Sequence, residues 1–381
     1  MKSIFSKITK LQRSRALSQT RFSRANLIIF AIISAAIGGY LIYSSFAAGF
    51  TTSFEAENST KNSPATTVSD AGASGGSALK FTTSTSGTTS CPVPKYPTPS
   101  CTGVPAGTTF TNTVNGEYEV ATPGTVIDKW HITGDLSIQA NNVTVTNSQI
   151  DGHVDNQGNG EIYYSYTISD STVGPPGACT VQQGKTCNDA NSHSTTNCSP
   201  SPSLGSGNYT ATRIYSRGHD DGYRVSGPNV TVQDSYFYAC YVDATIAPPD
   251  GSHSDGVQTY CASCSNIHLL HNTLDLSGVP ATFPINLGDP NQSSVTVNDN
   301  LLIGGQNYLM QVWYRGGPIW TVNNNRLVKD TWLPNAPWPR LDGAITANGT
   351  CSGQSWSGNT VVTIDLSYNI TSTIGNATCV D

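Results

Sequence analysis

The residues best suited to acid–base chemistry lie in two short segments, 218–225 and 252–258, which share the pattern His-x-Asp-Gly before a β-prone run. Together they supply three carboxyl groups and two imidazoles: Asp220, Asp221, Asp255, His219 and His253. Two carboxylates held close together can divide into an acid and a base, because burial or mutual repulsion raises one pKa. Histidine exchanges protons near neutral pH and can assist them. The pattern therefore predicts a small acid–base cluster, provided that the two segments lie side by side.

A repeated pattern indicates that they do. A strand-like run ending in a polar doublet recurs, as in Asn-Val-Thr-Val-Thr-Asn-Ser at 142–148 and Asn-Val-Thr-Val-Gln-Asp-Ser at 229–235. The second residue of the doublet falls at Ser148, Ser171, Ser235, Asn272, Asn300 and Asn325. Such repeats are typical of a solenoid in which each unit covers the apolar side of the next, and the doublets are expected to form hydrogen-bonded ladders. A β-propeller is the main alternative, but its repeats are longer, about 40–50 residues.

A second strand precedes each doublet strand and carries one polar residue between apolar ones. Successive side chains of a strand point to opposite faces, so these polar residues should form one outward row. The row consists of Arg224, Gln258, Asn286 and Gln311. We expect it to bind substrate together with Trp313, which ends the last of these strands, and Arg315, which follows it. Gly222 and Gly256 are expected to let a ligand approach the backbone.

Composition favours an exported all-β protein. Of 381 residues only 12% are charged, and 36 are Gly and 21 Pro; low charge with many turn formers disfavours a helical bundle. The first 50 residues carry seven basic residues and no acidic ones, which leaves 12 basic against 25 acidic residues in the remainder. Such a surface repels phosphate backbones and argues against nucleic-acid binding. Acidic polysaccharides would need a compensating basic patch or cation.

The N-terminal region predicts attachment to a membrane. Residues 1–26 are basic, and residues 27–48 carry no charge, a length that suffices to cross a bilayer at about 20 residues per span. Basic residues before the span place the N-terminus in the cytoplasm. We expect a transmembrane signal anchor with the rest of the chain outside the cell. A cleaved signal peptide, and hence a secreted protein, is the alternative.

Two segments separate this span from the repeats. Residues 49–81 resemble the opening strands of family 6/35-type carbohydrate-binding modules, through Phe-Glu-Ala-Glu at 54–57 and Ser-Gly-Gly-Ser-Ala-Leu-Lys-Phe at 74–81. The segment is too short to bury a core of its own, so it is interpreted as a degenerate spacer. Residues 82–107, rich in Ser, Thr and Pro, are interpreted as a linker, and residues 108–381 as the repeat domain.

All ten cysteines follow residue 90. An even number in the part of the chain expected to lie outside the membrane predicts disulfide bonds in an oxidising compartment. We expect Cys91 and Cys101 to close a small loop, and disulfides to hold the insertion at 174–208. The Cys-x-x-Cys spacing of Cys261 and Cys264 leaves zinc as an alternative, although no second such pair follows.

Several phrases of the repeat domain are similar to those of a known group of proteins. They include Thr-Val-Gln-Asp-Ser-Tyr at 231–236, His-Ser-Asp-Gly-Val-Gln at 253–258 and Val-Asn-Asp-Asn-Leu-Leu-Ile-Gly-Gly at 297–305. The domain thereby resembles right-handed parallel β-helix proteins of the pectate-lyase-like superfamily. The resemblance implies an all-β, right-handed, single-stranded parallel β-helix, here preceded by one transmembrane helix. That superfamily holds lyases, hydrolases, epimerases, adhesins and non-enzymes, so the resemblance is more specific for fold than for reaction.

The resemblance implies a carbohydrate site. Ser-Asp-Gly at 254–256 is similar to the Asn-Thr-Asp-Gly element of polygalacturonases, and Asp220-Asp221 to their Asp-Asp pair, but the two elements occur here in reversed order. The Gly-His-Gly and Arg-Ile-Lys elements of polygalacturonases and the Asp-rich calcium site of pectate lyases are not found. We expect Asp221 and Asp255 to carry acid–base work in a polysaccharide lyase or glycoside hydrolase, assisted by His219 and His253.

Several alternatives stay open. A non-catalytic glycan-binding adhesin or structural surface protein would use the same solenoid without turnover. Asp-Gly is common turn chemistry, so the paired segments can also be purely structural. No cofactor is required, although Ca²⁺ held by Asp220, Asp221, Asp243, Asp250 and Asp255 is a further alternative. We expect a monomer whose partners are a polysaccharide and the membrane.

Overall fold

The chain separates into two compact units, Met1–Thr83 and Ser84–Asp381. In the first unit, the described residues form one antiparallel hairpin of β1 (Ala65–Ser69) and β2 (Ser77–Phe81). The computed structural model describes residues 65–69, 77–81, 91, 95–176, 198–240, 254–261, 264–277, 281–287, 293–304, 309–312, 320–329, 344–347 and 355–380.

The described residues of the second unit form strands and no helix. The first strands are β3 (Asn112–Val114), β4 (Tyr118–Val120), β5 (Val126–Asp128), β6 (Trp130–Ile132), β7 (Leu136–Ile138), β8 (Val143–Thr146), β9 (Gln149–Ile150), β10 (Val154–Asp155), β11 (Tyr166–Ser169) and β12 (Thr172–Val173). The next are β13 (Tyr209–Thr212), β14 (Tyr215–His219), β15 (Tyr223–Val225), β16 (Val230–Gln233), β17 (Tyr236–Ala239), β18 (Asp255–Thr259), β19 (Ser265–Leu270), β20 (Thr273–Leu276), β21 (Phe283–Leu287) and β22 (Ser293–Asn298). The last are β23 (Leu301–Gly304), β24 (Met310–Val312), β25 (Thr321–Asn323), β26 (Arg326–Val328), β27 (Ala344–Ala347), β28 (Ser355–Ser357), β29 (Thr360–Ile364), β30 (Ile370–Asn376) and β31 (Thr378–Val380).

These strands belong to sheets that the chain visits in turn. A nine-stranded sheet has the order β28-β25-β22-β19-β16-β13-β11-β8-β5, and an eleven-stranded sheet the order β3-β6-β9-β12-β14-β17-β20-β23-β26-β29-β30. A six-stranded sheet, β15-β18-β21-β24-β27-β31, is continued by β10-β7-β4 through single bridges at Leu204. Within these sheets the described strands pair in parallel, except for β29 with β30. The expected all-β class with parallel sheets is therefore confirmed.

The core follows from strand alternation. In β8, Val143 and Val145 are buried, whereas Thr144 and Thr146 are partly exposed. In the next strand of the sheet, Ile168 is buried at the position paired with Val145, so equivalent apolar side chains stack on one another. Each fully buried aliphatic side chain stabilises the fold by about 1.5–3 kcal/mol relative to exposure.

The polar doublets turn the chain from the nine-stranded to the eleven-stranded sheet. The first residue of each doublet has positive φ, as at Asp299 (55°), which Asn and Asp tolerate better than most residues. The second residue is buried, and its side chain accepts a hydrogen bond from a neighbouring repeat. The backbone N–H groups of Asn272, Asn300 and Asn325 each donate to the next asparagine side chain, ending at Asn359, at 2.9–3.0 Å. The predicted ladder is confirmed.

The long spacing between Ser171 and Ser235 hides one further repeat. There Ile214 occupies the ladder position, and its backbone N–H donates to Ser235 Oγ at 3.0 Å. The residue before it, Arg213, has positive φ like the first residues of the doublets. The spacing of 64 residues leaves room for such a repeat, but an isoleucine replaces the polar residue that marks the others.

Two tyrosines from the ends of the second unit pack on the outer face of the eleven-stranded sheet. The Tyr96 ring stacks on His271 at 5.4 Å, and its hydroxyl donates to Asp299 at 2.8 Å. The Tyr368 hydroxyl donates to the fully buried Asp275 at 2.8 Å. Burial raises the pKa of Asp275 to about 6. These contacts tie both ends to the middle of the sheet.

Disulfides close three loops in the described part of the chain. Cys91 is bonded to Cys101, as expected. Cys198 is bonded to Cys240, which holds the end of the insertion; its other cysteines lie outside the described residues. Cys261 and Cys264 are bonded to each other rather than to zinc, so the zinc alternative is wrong for this pair.

The ladder makes a direct prediction about stability. Replacing Asn300→Ala removes the acceptor for two donors of Asn272 and the donor to Leu269 O. Buried groups left without a partner cost free energy, so we expect unfolding to become easier by about 2–3 kcal/mol. Urea denaturation measures this change. Thr296→Ala, on an outward position of the same repeat, is the control, and a loss at Asn300 no larger than the control's would contradict the ladder's role.

Candidate functional site

The polar row lies on the outer face of the six-stranded sheet. Arg224 of β15 pairs with Gln258 of β18, Gln258 with Asn286 of β21, and Asn286 with Gln311 of β24. Arg224, Gln258 and Asn286 are partly exposed, and the residues on either side of each are buried. The expected alternation is thus present for these three side chains, and the backbone of Gln311 continues their register.

Asp255 is a buried carboxyl group that binds two side chains of this row. The residue is 0% exposed. One carboxyl oxygen accepts hydrogen bonds from the Thr282 hydroxyl and from the Phe283 backbone N–H at 3.0 Å. The other accepts from the amide groups of Gln258 at 3.0 Å and Asn286 at 2.9 Å. Four donors saturate the carboxyl group, so Asp255 orients two members of the row.

Asp221 joins the two His-x-Asp-Gly segments. Its Oδ1 accepts the backbone N–H of Asp255 at 2.9 Å, and its Oδ2 accepts a hydrogen bond from Arg224 at 2.8 Å. The Arg224 guanidinium also lies over the Tyr260 ring, 4.6 Å from its centroid. Cation–π contact and ion pair together fix the arginine, while 63% of Tyr260 remains exposed.

Asp220 differs from the other two carboxyl groups because it keeps one oxygen without a described partner. Its Oδ1 accepts the backbone N–H of Asp221 at 2.7 Å. In the described part of the chain, no residue donates to its Oδ2. Burial, and next the charge of Asp221, raise the pKa of Asp220 to about 7. This carboxyl group can therefore exchange a proton near neutral pH.

The structure also raises the pKa of Asp255. Burial, followed by the charge of Asp221, brings it to about 8, against the opposing hydrogen bonds from Thr282, Asn286 and Phe283. Two neighbouring carboxyl groups with raised pKa values are typical of sites that perform acid–base chemistry, although structural networks can have them too.

His219 lies away from this chemistry. It is fully buried, and its Nδ1 donates to the Ser201 carbonyl oxygen at 2.9 Å. Burial lowers the pKa of His219 to about 4, and the charged groups that act on it are His153 and Asp135. The side chain is therefore neutral at physiological pH. His253, Trp313 and Arg315, the other predicted members of the site, lie outside the described residues.

Gly222 and Gly256 do not leave room for a ligand. A Cβ atom on Gly222 would lie 2.2 Å from the carbonyl oxygen of Gly256, and one on Gly256 would lie 2.3 Å from that of Pro284. The expectation that a ligand approaches the backbone here is wrong, because the space belongs to the neighbouring strand. These glycines let successive strands pack closely.

Sequence reasoning missed two features of the row. Tyr260 points outward two residues after Gln258, so strand alternation was the signal that could have found it. Gly205 continues the register between Arg224 and Asp155, because Leu204 bridges both Val154 and Tyr223. A Cβ atom there would meet Arg224 Cβ at 3.6 Å and Asp155 Oδ1 at 3.8 Å, which are ordinary contacts. The irregular segment around Gly205 has no repeat pattern that would reveal this register.

Most of the described carboxyl oxygens are occupied by hydrogen bonds within the protein. No group of three or more His, Cys, Asp or Glu residues in the described part of the chain is arranged to hold a metal. Asp255 already accepts four hydrogen bonds, and Asp221 accepts bonds on both oxygens. Asp243 and Asp250 lie outside the described residues.

Comparisons with known proteins do not assign the chain to a group. No family model, curated protein or solved structure matches it. Among the described residues, no helix has the length and apolar character needed to cross a membrane. The segment expected to do so, residues 27–48, lies outside them.

The raised pKa of Asp255 predicts an unusual dependence of stability on pH. Its pKa lies above the ordinary value in the folded state, so the folded protein binds the proton more tightly than the unfolded chain. The free energy of unfolding should then fall as pH rises between about 4 and 8, by up to about 1.4 kcal/mol per pH unit for this group. Asp255→Asn should flatten the slope measured by urea denaturation at several pH values. An unchanged slope would contradict the prediction, and Asp128→Asn serves as the control.

Proposed function

We propose that this chain is an exported parallel β-helix protein that binds and hydrolyses an extracellular polysaccharide on the outer face of its six-stranded sheet. The β-helix proposal is supported by the strand order, since the chain returns to each sheet after visiting the others and pairs in parallel with its previous pass. Right-handed crossovers between parallel strands are by far the commonest, which supports a right-handed helix. The resemblance of the repeats to pectate-lyase-like proteins agrees with both.

One observation carries the proposed activity. Asp220, with a pKa of about 7 and an oxygen free of described partners, adjoins Asp221, which is paired with Arg224. A neutral carboxylic acid and a charged carboxylate are the two groups that glycoside hydrolysis uses. The neighbouring row offers what a sugar chain needs, namely amide groups from Gln258 and Asn286 and the exposed ring of Tyr260.

The reaction follows from these roles. Asp220 donates its proton to the glycosidic oxygen as the bond between this oxygen and the anomeric carbon breaks. Asp221 accepts a proton from the water whose oxygen attacks that carbon. The products are a new reducing end and a free hydroxyl group, and the proton on Asp221 returns to Asp220 through solvent. Asp255 is a positioning residue, because its oxygens are occupied by Gln258, Asn286 and backbone donors.

Hydrolysis is preferred to elimination on the evidence of Arg224. A polysaccharide lyase needs a base that removes a carbon-bound proton, and Arg224 is the only basic side chain of the described row. Its guanidinium is held by Asp221 and Tyr260, which suits binding rather than proton removal. The excess of acidic over basic residues also disfavours the anionic polymers on which such eliminations act.

A non-catalytic glycan-binding protein is the second candidate function. It is favoured by the hydrogen bonds that occupy both oxygens of Asp221 and both of Asp255. In that case the carboxyl groups only join neighbouring strands, and the outer row alone binds the glycan. For either function we propose that residues 27–48 anchor the protein in the membrane with the second unit outside.

Turnover by the full chain on a panel of polysaccharides tests the catalytic proposal. New reducing ends without unsaturated products are expected, with kcat/KM falling as pH rises through about 7 because Asp220 loses its proton. Asp220→Asn should lower kcat at least about 100-fold, since general acid catalysis contributes about 10²–10⁴-fold. Asp128→Asn, a carboxylate of the nine-stranded sheet, should retain activity.

Three other outcomes would exclude hydrolysis by this pair. Unsaturated products would indicate elimination. Full turnover by Asp220→Asn would show that Asp220 is not the general acid. Binding of a glycan by the wild-type chain without any turnover would favour the non-catalytic alternative.

A further inference from the structure

The nine-stranded sheet carries a second regular row of polar side chains on its outer face. The row occupies equivalent outward positions of paired strands and is interrupted by His268. Its threonines are Thr144, Thr167, Thr210, Thr231, Thr296 and Thr321. All six are partly or fully exposed. Threonine is favoured in strands, so the residue type alone does not indicate a ligand.

The hydroxyl groups of this row are available for binding. In the described part of the chain, none of the six side-chain hydroxyl groups makes a hydrogen bond to another residue. Thr146, two residues after Thr144 in the same strand, contrasts with them because it donates to Asp128 at 2.9 Å. A row of unused donors and acceptors in register offers one hydroxyl group per strand to a repeating partner.

A groove lies over part of the row. It measures about 460 Å³, and its floor includes Thr144, Thr167 and Thr210. Asparagines form its rim, where Asn229 donates to Asn208 at 2.9 Å. None of the residues that line the groove is charged. The groove therefore presents hydroxyl and amide groups without an electrostatic preference for an ion.

We propose that this groove is a binding site for an uncharged linear polysaccharide that lies across the strands. Parallel strands are about 4.8 Å apart, close to the length of one sugar unit in an extended chain, so successive threonines can meet successive sugars. Hydroxyl and amide side chains are suitable partners for sugar hydroxyl groups. The groove has no carboxyl group, so it retains the polymer without cleaving it. This inference does not depend on catalysis at the six-stranded sheet.

Removal of three hydroxyl groups tests the site. The triple variant Thr144→Val, Thr167→Val and Thr210→Val keeps side-chain shape and strand propensity. The matched control, Thr296→Val with Thr321→Val, makes the same change in the same row outside the groove. The full chain and both variants are compared by affinity electrophoresis in gels containing mixed-linkage β-glucan, arabinoxylan or galactomannan, with polygalacturonate and alginate as anionic probes.

We expect at least one uncharged polymer to retard the wild-type chain and the control, and the triple variant to bind it at least about tenfold more weakly. Equal retardation of the triple variant, or retardation by the anionic polymers alone, would overturn the proposed site. Turnover that persists while the triple variant binds normally would overturn this inference and leave the hydrolase proposal intact. If the wild-type chain binds but shows no turnover, and the triple variant loses binding, the groove is supported and the hydrolase proposal is overturned.

Discussion

The architecture of the second unit depends on how the buried polar groups at each turn are satisfied. Where the chain leaves the nine-stranded sheet, a backbone N–H would be buried without a strand partner. Side chains such as Asn300 and Asn325 accept these hydrogen bonds from the adjacent repeat, and Asn359 continues the series. A buried donor without a partner costs about 1–3 kcal/mol, so the ladder fixes the register of one repeat on the next. The same register places the side chains of each outward row next to one another.

The two candidate catalytic segments repeat this device with carboxyl groups. Asp221 accepts the backbone N–H of Asp255, and Asp255 accepts that of Phe283, so side-chain oxygens again join successive strands. The direction is opposite to that of the asparagine ladder, because here the earlier repeat supplies the acceptor. An amide could fill the same role at a lower desolvation cost. A carboxyl group has a second oxygen able to accept from Arg224, or from Gln258 and Asn286, and it brings the raised pKa that acid–base chemistry uses.

Much of this arrangement could be predicted from the sequence because it is periodic. The doublets predicted the ladder, and alternation predicted the outward positions of Arg224, Gln258 and Asn286. Non-periodic features were less accessible: the spacing left room for a further repeat, but Ile214 gave no polar residue to place it. His219 shares a motif with Asp221, yet its imidazole is fully buried and donates to the Ser201 carbonyl oxygen. Which carboxyl oxygen lacks a partner depends on distances of tenths of an ångström, and no pattern of residue types contains them.

The core couples the two outer faces that we propose to bind sugar. Tyr166 and Tyr209 belong to strands of the nine-stranded sheet and stack inside at 5.4 Å. Their hydroxyl groups cross the core and donate to the carbonyl oxygens of Gly205 and Arg224, at 3.0 and 3.1 Å. The strands that form the threonine groove thus hold the backbone of the polar row at Arg224, the residue that forms an ion pair with Asp221. Since buried hydrogen bonds of this kind resist displacement, the two faces should keep a fixed separation, and a polymer held in the groove would meet a rigid row.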